Sequence, residues 1–186
     1  RLWRIETKEK SVYLSFDDGP HPAVTPFVLD ELKKYNAKAT FFCIGKNVTA
    51  FPDIYKRIIE EGHQVGNHTH NHLNGWKTPD ITYLNDVETA ARHIHSTLFR
   101  PPYGRIRSAQ VKKLQHYRIV MWDLLSGDFD ESLSGENCLQ NCIVNTNAGS
   151  IIVFHDSEKG WVRLNYCLPL FIQHLYREGY IFSKIL

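Results

Sequence analysis

The stretch Ser11-Val12-Tyr13-Leu14-Ser15-Phe16-Asp17-Asp18-Gly19-Pro20 decides how this 186-residue chain is read. Val12 to Phe16 is short, β-branched and aromatic, which favours a strand over a helix. It runs straight into two adjacent carboxylates and a Gly-Pro turn. Successive side chains on extended backbone point to opposite faces, so Asp17 and Asp18 can take separate roles, one holding a cation and the other facing a water. Asp-Asp-Gly-Pro is equally ordinary turn chemistry, and the motif alone does not choose between the two.

Similar apolar runs recur at 39–43, 64–66, 119–125, 150–154 and 180–185. Helical patterns lie between them. Phe27, Val28, Leu32 and Tyr35 form one stripe after Pro26, and Ile54, Tyr55, Ile58 and Ile59 form another, closed by Gly62 as a C-cap. Leu84, Val87, Ala91, Ile94 and Leu98 step alternately by three and four, behind Thr78-Pro79-Asp80 as N-cap, first-turn proline and acid. Two more helices are predicted at 108–116 and 165–178. Strand and helix in alternation mean βαβ units and a parallel sheet, either an open doubly wound one or a short barrel. Asp17 and Asp18, His68, Asp123 and Asp128, and His155 follow apolar runs at their C-terminal ends. Such residues after at least four strands favour a barrel, of about seven units rather than a full eight.

Composition bounds the rest. With 22 Lys+Arg against 20 Asp+Glu the net charge is +2, so no basic stripe exists for nucleic acid. A chain 42% hydrophobic and 23% charged reads as one globular domain over 1–186. No run is apolar enough for a transmembrane helix, and the first eight residues lack the apolar stretch of a signal peptide. Four cysteines are too few for a disulfide scaffold. Cys43 reads as a small buried hydrophobe. Cys138 and Cys142 would share a helix face, open to a metal or a strained disulfide but without a nearby His, and Cys167 has no local partner.

His68-Thr69-His70-Asn71-His72 sets two imidazoles four apart, a spacing that converges on one metal from a helical turn, although ten histidines make chance pairs common. Asp18 with His68 and His72 would make three ligands, leaving room for water and substrate. Nitrogen and oxygen donors suit zinc, and also cobalt, nickel or iron. Arg100-Pro101-Pro102-Tyr103-Gly104 must be a rigid loop. If it faces the site, Arg100 can pair with Asp17 and the Tyr103 backbone N–H can serve an oxyanion. His155, at the end of an apolar run, is a candidate general acid within such a constellation and an ordinary structural histidine outside it. Trp76 is the aromatic best placed for a sugar groove, with a half-buried loop tryptophan as the plainer reading.

In order along the chain, Ser-Phe-Asp-Asp-Gly-Pro, His-Thr-x-x-His, Arg-Pro-Pro-Tyr-Gly, Trp-Asp-x-x-Ser-x-Asp and Phe-His-Asp resemble the polysaccharide deacetylases of the NodB-homology group, carbohydrate esterase family 4. The resemblance spans about residues 11 to 185. It implies an irregular (β/α) barrel and one divalent metal held by Asp18, His68 and His72, zinc first with cobalt or nickel as alternatives. It further implies Asp17 as general base toward the attacking water, Arg100 orienting Asp17, Tyr103 stabilising the oxyanion and His155 protonating the leaving group. Three positions depart from the family pattern: Leu125 stands for an aspartate, Phe129 for a tryptophan and Val153 for a leucine. Phe129 and Val153 would keep an apolar acetyl pocket, joined on the substrate side by Tyr103 and Trp76. Leu125 removes a carboxylate that tunes the histidine, so His155 is expected to titrate lower unless Asp123 or Asp128 takes over. The expected activity is removal of N-acetyl groups from a GlcNAc-containing glycan such as chitin oligomers or peptidoglycan. An O-acetyl esterase on acetylated xylan, or an impaired glycan-binding scaffold, are the alternatives. A polymeric acetylated glycan as partner is the only pointer to an extracytoplasmic location.

Overall fold

A computed structural model describes residues 1–186. Its eight strands are β1 (Ser11–Asp17), β2 (Thr40–Cys43), β3 (Gln64–Asn67), β4 (Leu98–Phe99), β5 (Arg118–Ile119), β6 (Leu124–Leu125), β7 (Ile151–His155) and β8 (Ile181–Phe182). Seven lie side by side in the order β5-β4-β3-β2-β1-β7-β6, every pairing parallel, and β8 pairs with the start of β1. The seven helices are α1 (Val24–Lys34), α2 (Gly45–Ala50), α3 (Pro52–Glu60), α4 (Asp80–Ala91), α5 (Ser108–Lys113), α6 (Gly135–Asn145) and α7 (Trp161–Arg177). This is the expected incomplete (β/α) barrel. No helix is long and apolar enough to cross a membrane.

Alternation along β1 explains the layering. Val12, Leu14 and Phe16 point out into the main core of 28 buried residues, which α1, α6 and α7 cover. Phe16 stacks on Phe41 at 5.0 Å and lies 6.0 Å from Phe154, joining β1 to both neighbours. Ser15 and Asp17 point the other way, to the barrel interior, where they meet Arg100. Along β1, apolar and polar residues therefore separate by face.

Several expected boundaries move. The run at 119–125 is two strands at opposite edges of the sheet, β5 and β6, with Val120 to Asp123 crossing between them. That crossing, with Leu2 bridged to Val120 and Arg4 to Ser150, fills the seam where an eighth regular strand pair would close the barrel. The stripe expected to run to Leu98 stops at Ala91; Ile94 stays buried in the core beyond the helix, and Leu98 begins β4. Burial alone kept the helical spacing going past the helix end. Pro79, not Thr78, is the N-cap of α4, and no side chain caps it. Pro26 sits inside the first turn of α1, where its missing N–H has no intrahelical acceptor in any case. The helix α2 and the strand β4 had no periodic signal long enough to mark them, and α6 was signalled only by the shared face of Cys138 and Cys142.

Phe16 is central to the outer core, so Phe16→Ala is expected to lower unfolding stability by about 3–5 kcal/mol, read as a lower urea midpoint. Ile81→Ala, at a residue 77% exposed, should change it by less than about 0.5 kcal/mol.

Candidate active site

The C-terminal ends of the strands open onto a cleft of about 610 Å³. Asp17, Asp18, His68, His72, Trp76, Tyr103, Phe129, Val153 and His155 all line it, as do Asn74, Lys77, Arg105, Trp122, Leu125 and Lys159. The sequence motifs thus meet in one place. Arg100 lies beneath the cleft floor, with no exposed surface.

Asp17 is the last residue of β1. The chain then turns through Asp18, whose φ of 81° is left-handed, and this brings its carboxylate back over the strand end. Asp156 clamps the turn from below: its Oδ1 accepts the Gly19 N–H at 3.1 Å and its Oδ2 accepts the Thr25 hydroxyl at 2.6 Å. A β-carbon on Gly19 would lie 2.0 Å from that carboxylate, so only glycine fits. Burial pushes the Asp156 carboxyl up to about 8. Its clamp was not foreseen, because the sequence offered only a second acid after a histidine.

His68 and His72 approach Asp18 from the loop after β3. The His72 Nε2 is 3.1 Å and the His68 Nε2 is 3.7 Å from Asp18 Oδ1. The helical turn expected at 68–72 does not form; Thr69 and His72 have φ of 63° and 57°. Asp86 of α4 holds the loop, its Oδ2 accepting the N–H groups of His70 and Asn71, each at 2.9 Å. Asn67 Oδ1 accepts the Thr69 N–H at 2.8 Å. The two imidazoles converge through these clamps and not through helical spacing. Burial pulls His68 down to about 4, so its ring is neutral near pH 7. Its Nδ1 lies 2.7 Å from the Arg100 carbonyl, which only a donor can satisfy, leaving Nε2 as a free lone pair facing Asp18. Burial alone would raise Asp18, but the adjacent His72 ring and the charge of His155 hold it well below the usual carboxylate range.

These residues fit a divalent ion. Ligand atoms of Asp18, His68 and His72 all lie within 4.8 Å of one another, and Asp18 Oδ1 is buried without a hydrogen-bond partner. One carboxylate and two imidazoles are donors for a borderline cation, and three donors leave positions open toward the cleft.

Asp17 is held from the opposite side. Arg100 Nη1 donates to Asp17 Oδ1 at 2.7 Å and to Ser15 Oγ at 2.8 Å, Nη2 to the Met121 carbonyl at 2.9 Å, and Nε to the Val120 carbonyl at 3.3 Å. The guanidinium lies 4.0 Å over the Phe42 ring. Burial lowers the Arg100 pKa, with the Asp17 charge opposing it.

Across the cleft, His155 ends β7. Asp128 Oδ1 lies 2.8 Å from its Nδ1, and Asp128 Oδ2 accepts its backbone N–H at 2.6 Å. Burial alone would lower His155, but the Asp128 charge and hydrogen bond, with Asp18 and Asp17 beyond, outweigh it and raise the ring to about 9. Of the two acids that could take over from Leu125, Asp128 supplies the carboxylate, and Leu125 joins Phe129, Val153 and Trp122 in the cleft wall. Asp123 instead accepts from Ser150 and Ile151, outside the site. Tyr103, with φ of 59°, sits at the rim 4.6 Å from the His72 ring. Trp76 is 53% exposed at the cleft edge, covered on one face by Arg105 at 4.1 Å.

Because Asp128 favours the imidazolium, Asp128→Asn should lower the His155 pKa by about one unit or more, seen by NMR titration of the ring. An unchanged titration would remove Asp128 as the cause.

A family model described as polysaccharide deacetylase matches residues 4–122, well over half the chain. A peptidoglycan-N-acetylglucosamine deacetylase of Bacillus cereus is 35% identical over 98% of this chain and 90% of its own length. A chitooligosaccharide deacetylase of Azorhizobium caulinodans is 35% identical over 82% of this chain and 77% of its own. Among solved structures, the Bc1960 peptidoglycan N-acetylglucosamine deacetylase superposes with a TM-score of 0.90 at 34% identity, over 99% of this chain and 90% of that one. The family model stops before Asp128 and His155, but the Bacillus cereus relative aligns across nearly all of the chain. With the barrel, the clustered motifs and these matches in agreement, the chain belongs to the polysaccharide deacetylase family.

Proposed function

We propose that this chain is a divalent-metal-dependent hydrolase that removes N-acetyl groups from GlcNAc-containing glycans, with peptidoglycan fragments and chitin oligomers as substrates. The observation that carries this reading is the placement of Asp17, held by Arg100, and of His155, held by Asp128, around the three converging donors of Asp18, His68 and His72. Zinc is the first choice for the ion, with cobalt or nickel as alternatives. When bound, it would supply a Lewis acid that polarises the acetyl carbonyl and makes water more acidic.

The chain's own residues do the rest. Arg100 fixes one oxygen of Asp17, leaving Oδ2, 3.9 Å from His68 Nε2, to take a proton from the attacking water. The water oxygen adds to the acetyl carbon, and the backbone N–H of Tyr103 stabilises the oxyanion. The acetyl methyl packs against Leu125, Phe129 and Val153, while Trp76 and Tyr103 offer rings to the sugars. His155 gives its proton to the glycan nitrogen as the C–N bond breaks, releasing acetate and a free amine. An amine leaves poorly without a proton, and Asp128, which holds the His155 ring in place and favours its protonated form, suits the site to an amide. That favours N-acetyl over O-acetyl substrates.

Acetate release should be measured on chitin oligomers, peptidoglycan fragments and acetylated xylan, with metal-stripped protein and after reloading with zinc, cobalt or nickel. Release is expected only after reloading and highest on an N-acetyl substrate, and Asp17→Asn should lower it by at least about 100-fold. Equal release by Asp17→Asn would refute the base assignment. No release from any substrate with metal bound would favour the glycan-binding scaffold.

A further inference from the structure

Outside the cleft, the fold gathers a second group of ligating atoms. Cys138 and Cys142 lie one turn apart on α6, and α7 packs Cys167 against them; all three are fully buried. Their sulfurs lie within 4.8 Å of one another, and no His, carboxylate or fourth Cys joins them. The fourth thiol, Cys43, is buried on β2 and is not part of the group. From the sequence, Cys167 had no local partner; the helix pairing supplies two.

We propose that Cys138, Cys142 and Cys167 form a buried three-sulfur site for one soft monovalent cation, copper(I). Three converging thiols with no oxygen or nitrogen donor select a soft ion. Zinc prefers a closed set of four, which this group lacks, whereas copper(I) is satisfied by three sulfurs. With metal–sulfur bonds of about 2.3 Å, three sulfurs in a plane around an ion stand about 4.0 Å apart. The observed spacing needs adjustments of no more than about 1 Å.

Charge fits as well. Copper(I) entering three thiols displaces two protons and keeps one thiol neutral, which leaves one net negative charge in the core. Arg163 stands one turn before Cys167 on α7 and is itself nearly buried, tied by Nε to the Asp128 carbonyl at 2.6 Å and by Nη2 to the Lys159 carbonyl at 3.0 Å. Its positive charge offsets the complex. Enclosure between helices keeps oxygen and competing ligands away from the ion.

The test titrates the reduced whole protein anaerobically with copper(I) against a chromophoric copper(I) chelator, following copper–thiolate luminescence, which the Asp18, His68 and His72 donors cannot give. One copper per chain taken from the chelator, with luminescence, is expected. Cys167→Ala should weaken it by more than about 100-fold, while Cys43→Ala leaves it unchanged and zinc-dependent acetate release survives in both. No copper taken by the native protein would overturn the proposal without recourse to any variant. So would binding that Cys167→Ala leaves intact, or that Cys43→Ala abolishes. Cys142→Ala, checked for fold by circular dichroism, repeats the test if Cys167→Ala does not fold.

Discussion

One buried ion pair underlies the arrangement of the cleft. Arg100 is a full positive charge inside the barrel with no exposed surface, a position stable only if its charge and most of its donors are answered. Asp17 answers the charge and accepts one N–H, and Ser15, Val120 and Met121 accept three more of the five. The Arg100 carbonyl meanwhile faces His68 and sets which ring nitrogen is free. A single residue thus ties β1, the loop after β3, the end of β4 and the segment after β5 into one polar unit. Removing one partner of such a pair leaves a buried charge uncompensated, typically at about 3–5 kcal/mol, so Asp17, His68 and the barrel core are thermodynamically linked.

The opposite wall repeats the logic with other residues. His155 is set by Asp128 through two hydrogen bonds, and Asp128 is reached in turn by Arg163, whose Nε bonds its carbonyl. Asp17 and His155 are therefore both positioned by residues that do not themselves line the cleft. The difference lies in sign: Arg100 supports an anion at Asp17, and Asp128 supports a cation at His155. Two groups of opposite charge are kept apart by their local partners within one cleft.

Much of this was legible in the chain because the informative residues sit at strand ends, where position along the sequence and position in the barrel coincide. Asp17, Asp18, His68, Arg100 and His155 all have that property, and the fold places each at the cleft or beneath it. What was not legible depended on contacts between distant segments. The His68–His72 loop takes its shape from Asp86, fourteen or more residues away, so the spacing suggested a helical turn that does not exist. Strands of two residues, such as β4, carry no periodicity and are made by their neighbours' hydrogen bonds. The run at 119–125 read as one strand because Ile119 to Trp122 and Leu124 to Leu125 are apolar and only Asp123 interrupts them.

That crossing has a consequence for how such a barrel can evolve. Val120 and Met121 offer their carbonyls to Arg100 because the seam between β5 and β6 has no continuous ladder to consume them. An added strand that closed the cylinder would compete for those same acceptors and leave the arginine short of partners. The gap is therefore not a defect awaiting repair. It is the vacancy in the backbone's bonding pattern that lets a cation live at the centre of the fold, and a more regular barrel would have to give up the anchor of its own carboxylate.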